Sequence, residues 1–278
     1  MDENHLLETP AATIIEPAPA GYVEYEIDIE KVLRTELPSV VASIELAPLT
    51  AAYVNNIPEG SKGAYVLFLN GFPVYAGKTD TRHGFRDRLN RHAFTIQNRR
   101  NLDPGQIGFK AIRILVFSNF DVEAILIDAM RRADASALAW NDSGFGSNDP
   151  GHNREGQRPA NFDVDYPINI DRPLHLMPSG SYDVLMLLIS LKQHLPYDFR
   201  YETDLRAGSD KPSHYRVGHA DHRVAAMVQV EDDDTTRSLL CKIMTALPVG
   251  WRTTVFPGRL ILYKENTTYR YALESFTA

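Results

Sequence analysis

The sequence predicts an α+β protein: a core with a small antiparallel or mixed three-stranded sheet flanked by helices, and a small C-terminal α+β module. Three observations carry that expectation. Short apolar runs suited to strands alternate with longer stretches whose apolar residues recur at helical spacing. The 278 residues exceed one ordinary domain and leave room for a sizeable core plus an appended unit. With 44% hydrophobic and 23% charged residues, the composition is that of a globular protein, and no run approaches a membrane span.

Residues 1–19 carry Asp2, Glu3, Glu8 and Glu16 among Ala and Pro and read as a flexible arm, without the basic and apolar regions of a secretory signal. Ile29, Val32, Leu33 and Leu37 mark a helix over 28–46, ended with the help of Pro48. Tyr65–Leu69 and Pro73–Ala76 read as strands joined by Asn70-Gly71, a dipeptide suited to a tight hairpin. A helix over 84–97 follows, since Phe85, Leu89, Ala93 and Ile96 form one stripe bordered by Arg88 and His92. Phe109–Phe117 reads as a third strand, and 121–138 as a helix with Asp121 at its N-cap. Pro173 and Pro178-Ser179-Gly180 mark a boundary, so the expected division is an arm over 1–19, a domain over 20–178 and a module over 179–278. In that module the expected order is a helix over 182–194, a strand over 224–230, a helix capped by Asp232-Asp233-Asp234-Thr235 running through Leu247, and a hairpin over 251–263.

The net charge of −7 argues against a nucleic-acid partner only until the charges are located. Residues 1–60 hold eleven acidic residues against two basic ones, Lys31 and Arg34. From Lys78 to Arg113 nine bases (Lys78, Arg82, Arg86, Arg88, Arg91, Arg99, Arg100, Lys110 and Arg113) face three acids. Such a cluster suits a phosphate backbone or a solvated helix face. The single cysteine, Cys241, cannot form an internal disulfide and suits a reducing cytoplasm.

Glu123 has Ile127 and Met130 four and seven residues on, which places it on the apolar side of its helix. A carboxylate there needs a partner, and a magnesium ion that keeps several waters and takes a phosphate oxygen is one. Its place in a first turn, stabilised by the helix dipole, is the plainer alternative. Gly77-Lys78-Thr79 resembles the end of a nucleotide-binding P-loop, but five residues separate Gly71 from Gly77 where that motif has four, and no helix follows the lysine directly. His214, His219 and His222 with Asp221 match no standard metal spacing.

Taken together, Gly63-Ala64-Tyr65, Tyr75-Ala76-Gly77, Arg88 and His92 in Phe85–His92, Glu123, Trp140-Asn141 and the loop Gly144–Gly151 resemble the GIY-YIG nuclease superfamily. Each Gly and Tyr of its two strand motifs is kept, with Ala as the central residue of both. The histidine one turn after the arginine and the loop resemble its type II restriction endonuclease branch, the group that cuts CCGCGG. The resemblance spans roughly residues 20–175.

It implies a magnesium-dependent endonuclease, with manganese able to substitute, acting on double-stranded DNA as a homodimer in the cytoplasm. It further implies Tyr65 as general base on the attacking water, its pKa lowered from about 10 by Lys78, Arg88 or His92. Arg88 would hold the scissile phosphate, Glu123 the metal, and Tyr75 and Asn141 would orient the phosphate or the tyrosine pair. Arg82, Arg86, Arg91, Arg99, Arg100, Asn148 and Arg154 are the DNA-contact candidates. A structure-specific repair nuclease and a catalytically inactive nucleic-acid or protein binding module are the alternatives. The C-terminal module resembles the small α+β modules at the N-termini of secretins and TonB-linked receptors, and could serve target recognition, dimerisation or inhibitor binding.

Overall fold

The computed structural model describes residues 12–15, 20–21, 24–80, 82–113, 122–145, 155–173 and 175–277. These fall into two compact units, one within Met1–Asn90 and Gly105–Asn141, the other within Arg91–Pro104 and Asp142–Ala278. Both mix helices with sheets. Among the described residues, no helix is long and apolar enough to cross a membrane.

The first unit opens with strands β1 (Ala12–Ile15) and β2 (Glu24–Ile27), an antiparallel pair that falls partly on the expected flexible arm. Helix α1 (Ile29–Ser43) is capped by Asp28, whose side chain accepts from Lys31 N–H at 2.9 Å. It ends before Pro48, which lies instead in the two-residue strand β3 (Ala47–Pro48). A short helix α2 (Ala51–Val54) leads to β4 (Ala64–Leu69), β5 (Phe72–Lys78), helix α3 (Phe85–Gln97), of which the residues from Arg91 on are counted with the second unit, β6 (Ile107–Ile112) and helix α4 (Val122–Ala133). The expected continuation of β6 toward Phe117 and the expected N-cap Asp121 lie outside the described residues.

The sheet has four strands rather than three, in the antiparallel order β3-β6-β4-β5. The extra strand is too short to announce itself in sequence, since two residues carry no period. Asn70 (φ 51°) and Gly71 (φ 82°) both take the positive φ that a tight hairpin between β4 and β5 requires. Alternation along β4 and β5 divides the sheet's faces. Ala64, Val66, Phe68 and Ala76 pack with Leu37 and Val41 of α1 and Ile125 and Leu126 of α4. Tyr65, Tyr75 and Gly77 therefore point to the other face.

The second unit contains helix α5 (Asn161–Asp165), strand β7 (Gly180–Tyr182), helix α6 (Val184–His194) and strand β8 (Asp198–Tyr201). Helix α7 (Ala220–Val224), β9 (Val228–Val230), helix α8 (Thr236–Ala246), β10 (Trp251–Val255), β11 (Arg259–Lys264) and β12 (Glu274–Phe276) complete it. The strand expected from Val224 begins only at Val228, because Val224 ends a helical turn capped by His219. One sheet runs β12-β10-β11-β8, with β8 parallel to β11, and β7 pairs antiparallel with β9. Thr235 is the N-cap of α8, its Oγ accepting from Ser238 N–H at 3.1 Å, while Asp234 accepts from Glu231 N–H at 2.8 Å and from Ser238 Oγ at 2.6 Å. Val184, Leu187, Leu188 and Leu191 of α6 meet Leu239, Leu240, Ile243 and Met244 of α8 over Leu260 and Leu262, two helical stripes closing on one sheet face.

Leu126 is fully buried between α1 and the sheet, so Leu126→Ala is expected to lose about 2–5 kcal/mol in urea unfolding. Phe72→Ala, at a side chain 74% exposed, should change stability by less than about 0.5 kcal/mol.

Candidate active site

Tyr65 lies on the central strand β4, directly opposite Gly77 on β5, while Tyr75 is opposite Leu67. The tyrosines are thus diagonal neighbours on one face, their ring centroids 6.1 Å apart and tilted by 44°. Phe85, the first residue of α3, meets the Tyr65 ring edge-on at 6.5 Å. Both motif glycines are required by close approach. A methyl group at Gly77 would come within 2.7 Å of Tyr65 Oη and 2.8 Å of Tyr75 Cε1, and one at Gly63 would collide with the carbonyl of Ile112. Thr79 laces the two motifs together: its Oγ1 accepts from Gly63 N–H at 2.9 Å, and its own N–H donates to the Gly63 carbonyl at 3.0 Å.

Asn141 acts on the outer edge of β5. Its Oδ1 accepts from Ala76 N–H at 2.8 Å and its Nδ2 donates to the Ala76 carbonyl at 2.7 Å, as a neighbouring strand would. Trp140 and Leu138 donate their backbone N–H groups to the carbonyls of Val74 and Pro73. Of the two tasks expected of Asn141, its side-chain bonds serve the backbone that carries Tyr75 and Gly77.

Lys78, the last residue of β5, reaches Glu123 in the first turn of α4, Nζ to Oε2 3.7 Å. Glu123 is not sealed among apolar neighbours, as its helical position suggested, but 28% exposed. Arg88 on α3 stands 3.7 Å from Asp80, and its Nε is buried with no hydrogen-bond partner among the described residues. Asp80 itself accepts from the backbone N–H of His83 at 2.7 Å and then of Arg82 at 2.8 Å, which holds its carboxyl well below the ordinary range.

Tyr65 is 1% exposed, and that burial pushes its hydroxyl far above the ordinary phenol value. Tyr75 and the charge of Glu123 push in the same direction, and Arg88 opposes them. Arg88 was expected to lower this pKa; its pull is present and desolvation outweighs it. Tyr65 and Tyr75 share a hydrogen bond, and the pKa of Tyr75 is itself raised by burial and then by Glu123. Tyr65, Tyr75, Arg88, Glu123 and Lys78 thus form one connected set.

Among the described residues no group of three or more His, Cys, Asp or Glu side chains gathers as a metal cage. A single, partly exposed carboxylate does not fit zinc, which takes three or four protein ligands. It fits a hard cation that keeps most of its waters and completes its shell with phosphate oxygens, as magnesium does.

No protein-family model and no curated protein matches this chain.

His92 is buried and stacks on Phe145, centroids 4.9 Å apart. Arg82 and Arg91 are exposed, as DNA contacts need to be. Arg86 donates Nε to the Ile57 carbonyl at 2.6 Å. Arg99 departs from its expected DNA-facing place: its side chain is 8% exposed, paired with Asp163 at 2.7 Å and set over the ring of Phe162, so its charge is already matched. Arg100 pairs with Asp171 at 2.9 Å. Asn148, Arg154 and the loop beyond Phe145 lie outside the described residues. Asp80 and Thr79 are the contributors that sequence reading missed; neither belongs to the nuclease-like motifs, and only their distances reveal them.

The P-loop reading fails in space as in spacing, since Lys78 ends a strand and the next helix starts at Phe85. The histidine cluster of the second unit is structural. His219 Nδ1 accepts from Asp221 N–H at 3.1 Å and His222 Nδ1 accepts from His219 N–H at 3.0 Å. Each ring therefore carries its proton on Nε2, where a metal would need the lone pair. His222 is fully buried, and burial first, then His219, push its pKa down from 6.5 to about 4.

Gly77→Ala is expected to cost about 1–3 kcal/mol, because two rings must shift, and to disturb the tyrosine pair; unfolding curves and the fluorescence of the region check it. An unfolded His222 takes up its proton near pH 6.5 and the folded one only near 4, so stability is intact above that window and falls as pH drops through it. The full loss is about 3 kcal/mol. Melting at pH 7 and 4.5 should show it, and His222→Phe should flatten the slope; the neighbouring Asp204 and Asp221, whose pKa values are lowered, titrate below this range.

Proposed function

We propose that this chain is a magnesium-dependent endonuclease of the GIY-YIG type that cuts double-stranded DNA, in the manner of a type II restriction enzyme. The observation that carries the reading is the convergence of two phenols, a guanidinium with an unmatched Nε–H, a lysine and a partly open carboxylate around one hairpin. Phosphodiester hydrolysis needs a group to take the proton of the attacking water, positive charge on the phosphoryl oxygens and help for the leaving 3′ oxygen.

Arg88, whose side chain is 33% exposed, binds the phosphate through its planar guanidinium. Tyr65 orients the water. Because its pKa is raised, it serves best as a relay: it accepts the water's proton as it passes its own to Tyr75, which is half-buried and releases one to solvent. The water oxygen bonds to phosphorus and the bond to the 3′ oxygen breaks. Asn141 keeps the strand under Tyr75 in register. Glu123 would hold the divalent ion, which when bound supplies positive charge beside the phosphate and the leaving oxygen. Arg82 and Arg91 are the exposed candidates for backbone contacts. A homodimer is the simplest way to read and cut a palindrome, since two-fold protein matches two-fold DNA.

The test is incubation of the pure protein with sequence-diverse plasmid and magnesium, with branched duplexes run beside it. Cutting at fixed palindromic sites is expected, with Arg88→Ala and Glu123→Gln each slowing it by about 10²–10³-fold while melting like wild type. Intact DNA throughout, or a Glu123→Gln protein that cuts as fast as wild type, would overturn the reading.

A further inference from the structure

We propose that Lys78 is a built-in competitor for the divalent cation at Glu123, so that metal binding and release of the lysine toward the phosphate are a single exchange. The proposal rests on the nuclease reading and concerns how its metal carboxylate is kept between turnovers. Lys78 Nζ lies 3.7 Å from Glu123 Oε2, and the two side chains come from separate elements, the end of β5 and the first turn of α4. The pairing is built in because the backbone of Lys78 cannot drift. It pairs with Ala64 in register on one side, and two residues back Asn141 clasps Ala76 on the other.

Both groups are open enough for exchange, with side chains 45% and 28% exposed. A divalent ion on either carboxylate oxygen would place two positive charges within a few ångströms of the ammonium, and like charges at that range repel. The lysine stem is long and flexible enough to swing away. Its natural destination is the incoming phosphate held by Arg88, the nearest new anion. Without metal the pair is neutral; with metal the same place becomes cationic as DNA arrives. The lysine thus keeps Glu123 from remaining an uncompensated negative charge facing a polyanion.

The probe is manganese binding to the full chain without DNA, at fixed ionic strength, followed by loss of the free-ion resonance. Lys78→Met and Lys78→Gln should each bind manganese at least about fivefold more tightly than wild type, and Lys78→Arg should remain close to wild type. Glu123→Gln should bind none. In plasmid cleavage, Lys78→Met should reach half-maximal rate at lower magnesium but show a lower maximal rate, since the phosphate loses a cation. Equal or weaker manganese binding by both neutral variants, with Glu123→Gln still inactive in binding, overturns the competition and leaves the metal site standing. Manganese binding retained by Glu123→Gln, or absent from wild type and both neutral Lys78 variants alike, removes Glu123 as a ligand and overturns both.

Discussion

The ring of Tyr65 lies across the backbone of Gly77, and the site depends on that contact. It is possible only because residue 77 has no Cβ: a methyl group would stand 2.7 Å from the phenol oxygen. With the ring seated there, Tyr75 is brought alongside as the diagonal neighbour, Phe85 closes the opposite edge, and α3 begins where it must to carry Arg88 inward. The contact in turn needs β5 held flat against β4. Pairing with β4 secures one edge of β5, and the segment Leu138–Asn141 secures the other, where the side chain of Asn141 imitates a strand. An edge strand left open would be an attachment point for other chains, so the same clasp both positions the site and covers the edge.

Around this scaffold the charges are matched loosely. Lys78 faces Glu123 and Arg88 faces Asp80, both at 3.7 Å and both partly exposed. Pairs of that kind contribute about 0–1 kcal/mol, so a phosphate or a hard cation can displace them at small cost. The pairs that tie down the second unit are tighter. Arg237 holds Asp171 at 2.5 Å and Glu274 at 2.6 Å, and Lys242 holds Asp234 at 2.8 Å. The contrast separates close ion pairs that tie elements together from looser, more open ones.

The phenols are the opposite case. Burial of Tyr65 costs so much for a phenolate that one neighbouring arginine does not compensate. Burial has the same signature in the second unit, where it keeps His222 neutral and makes it part of a helix cap rather than a ligand.

Sequence alone determined the mixed α+β class, the Asn70-Gly71 hairpin, the placing of both tyrosines on adjacent strands and the inward helix faces, because these follow from local φ preferences and from periods of two and 3.6 residues. It also determined which residue types were available for phosphate chemistry. Tertiary structure alone decided the fourth strand β3, the role of Asn141 on the β5 backbone, the entry of Asp80 beside Arg88 and the burial of Arg99 against Asp163. It also decided that desolvation outweighs Arg88 at Tyr65. The reason is common to all five: each depends on which distant segment lies within a few ångströms, and on how much water remains there, and neither is encoded in the spacing of residues along a single element.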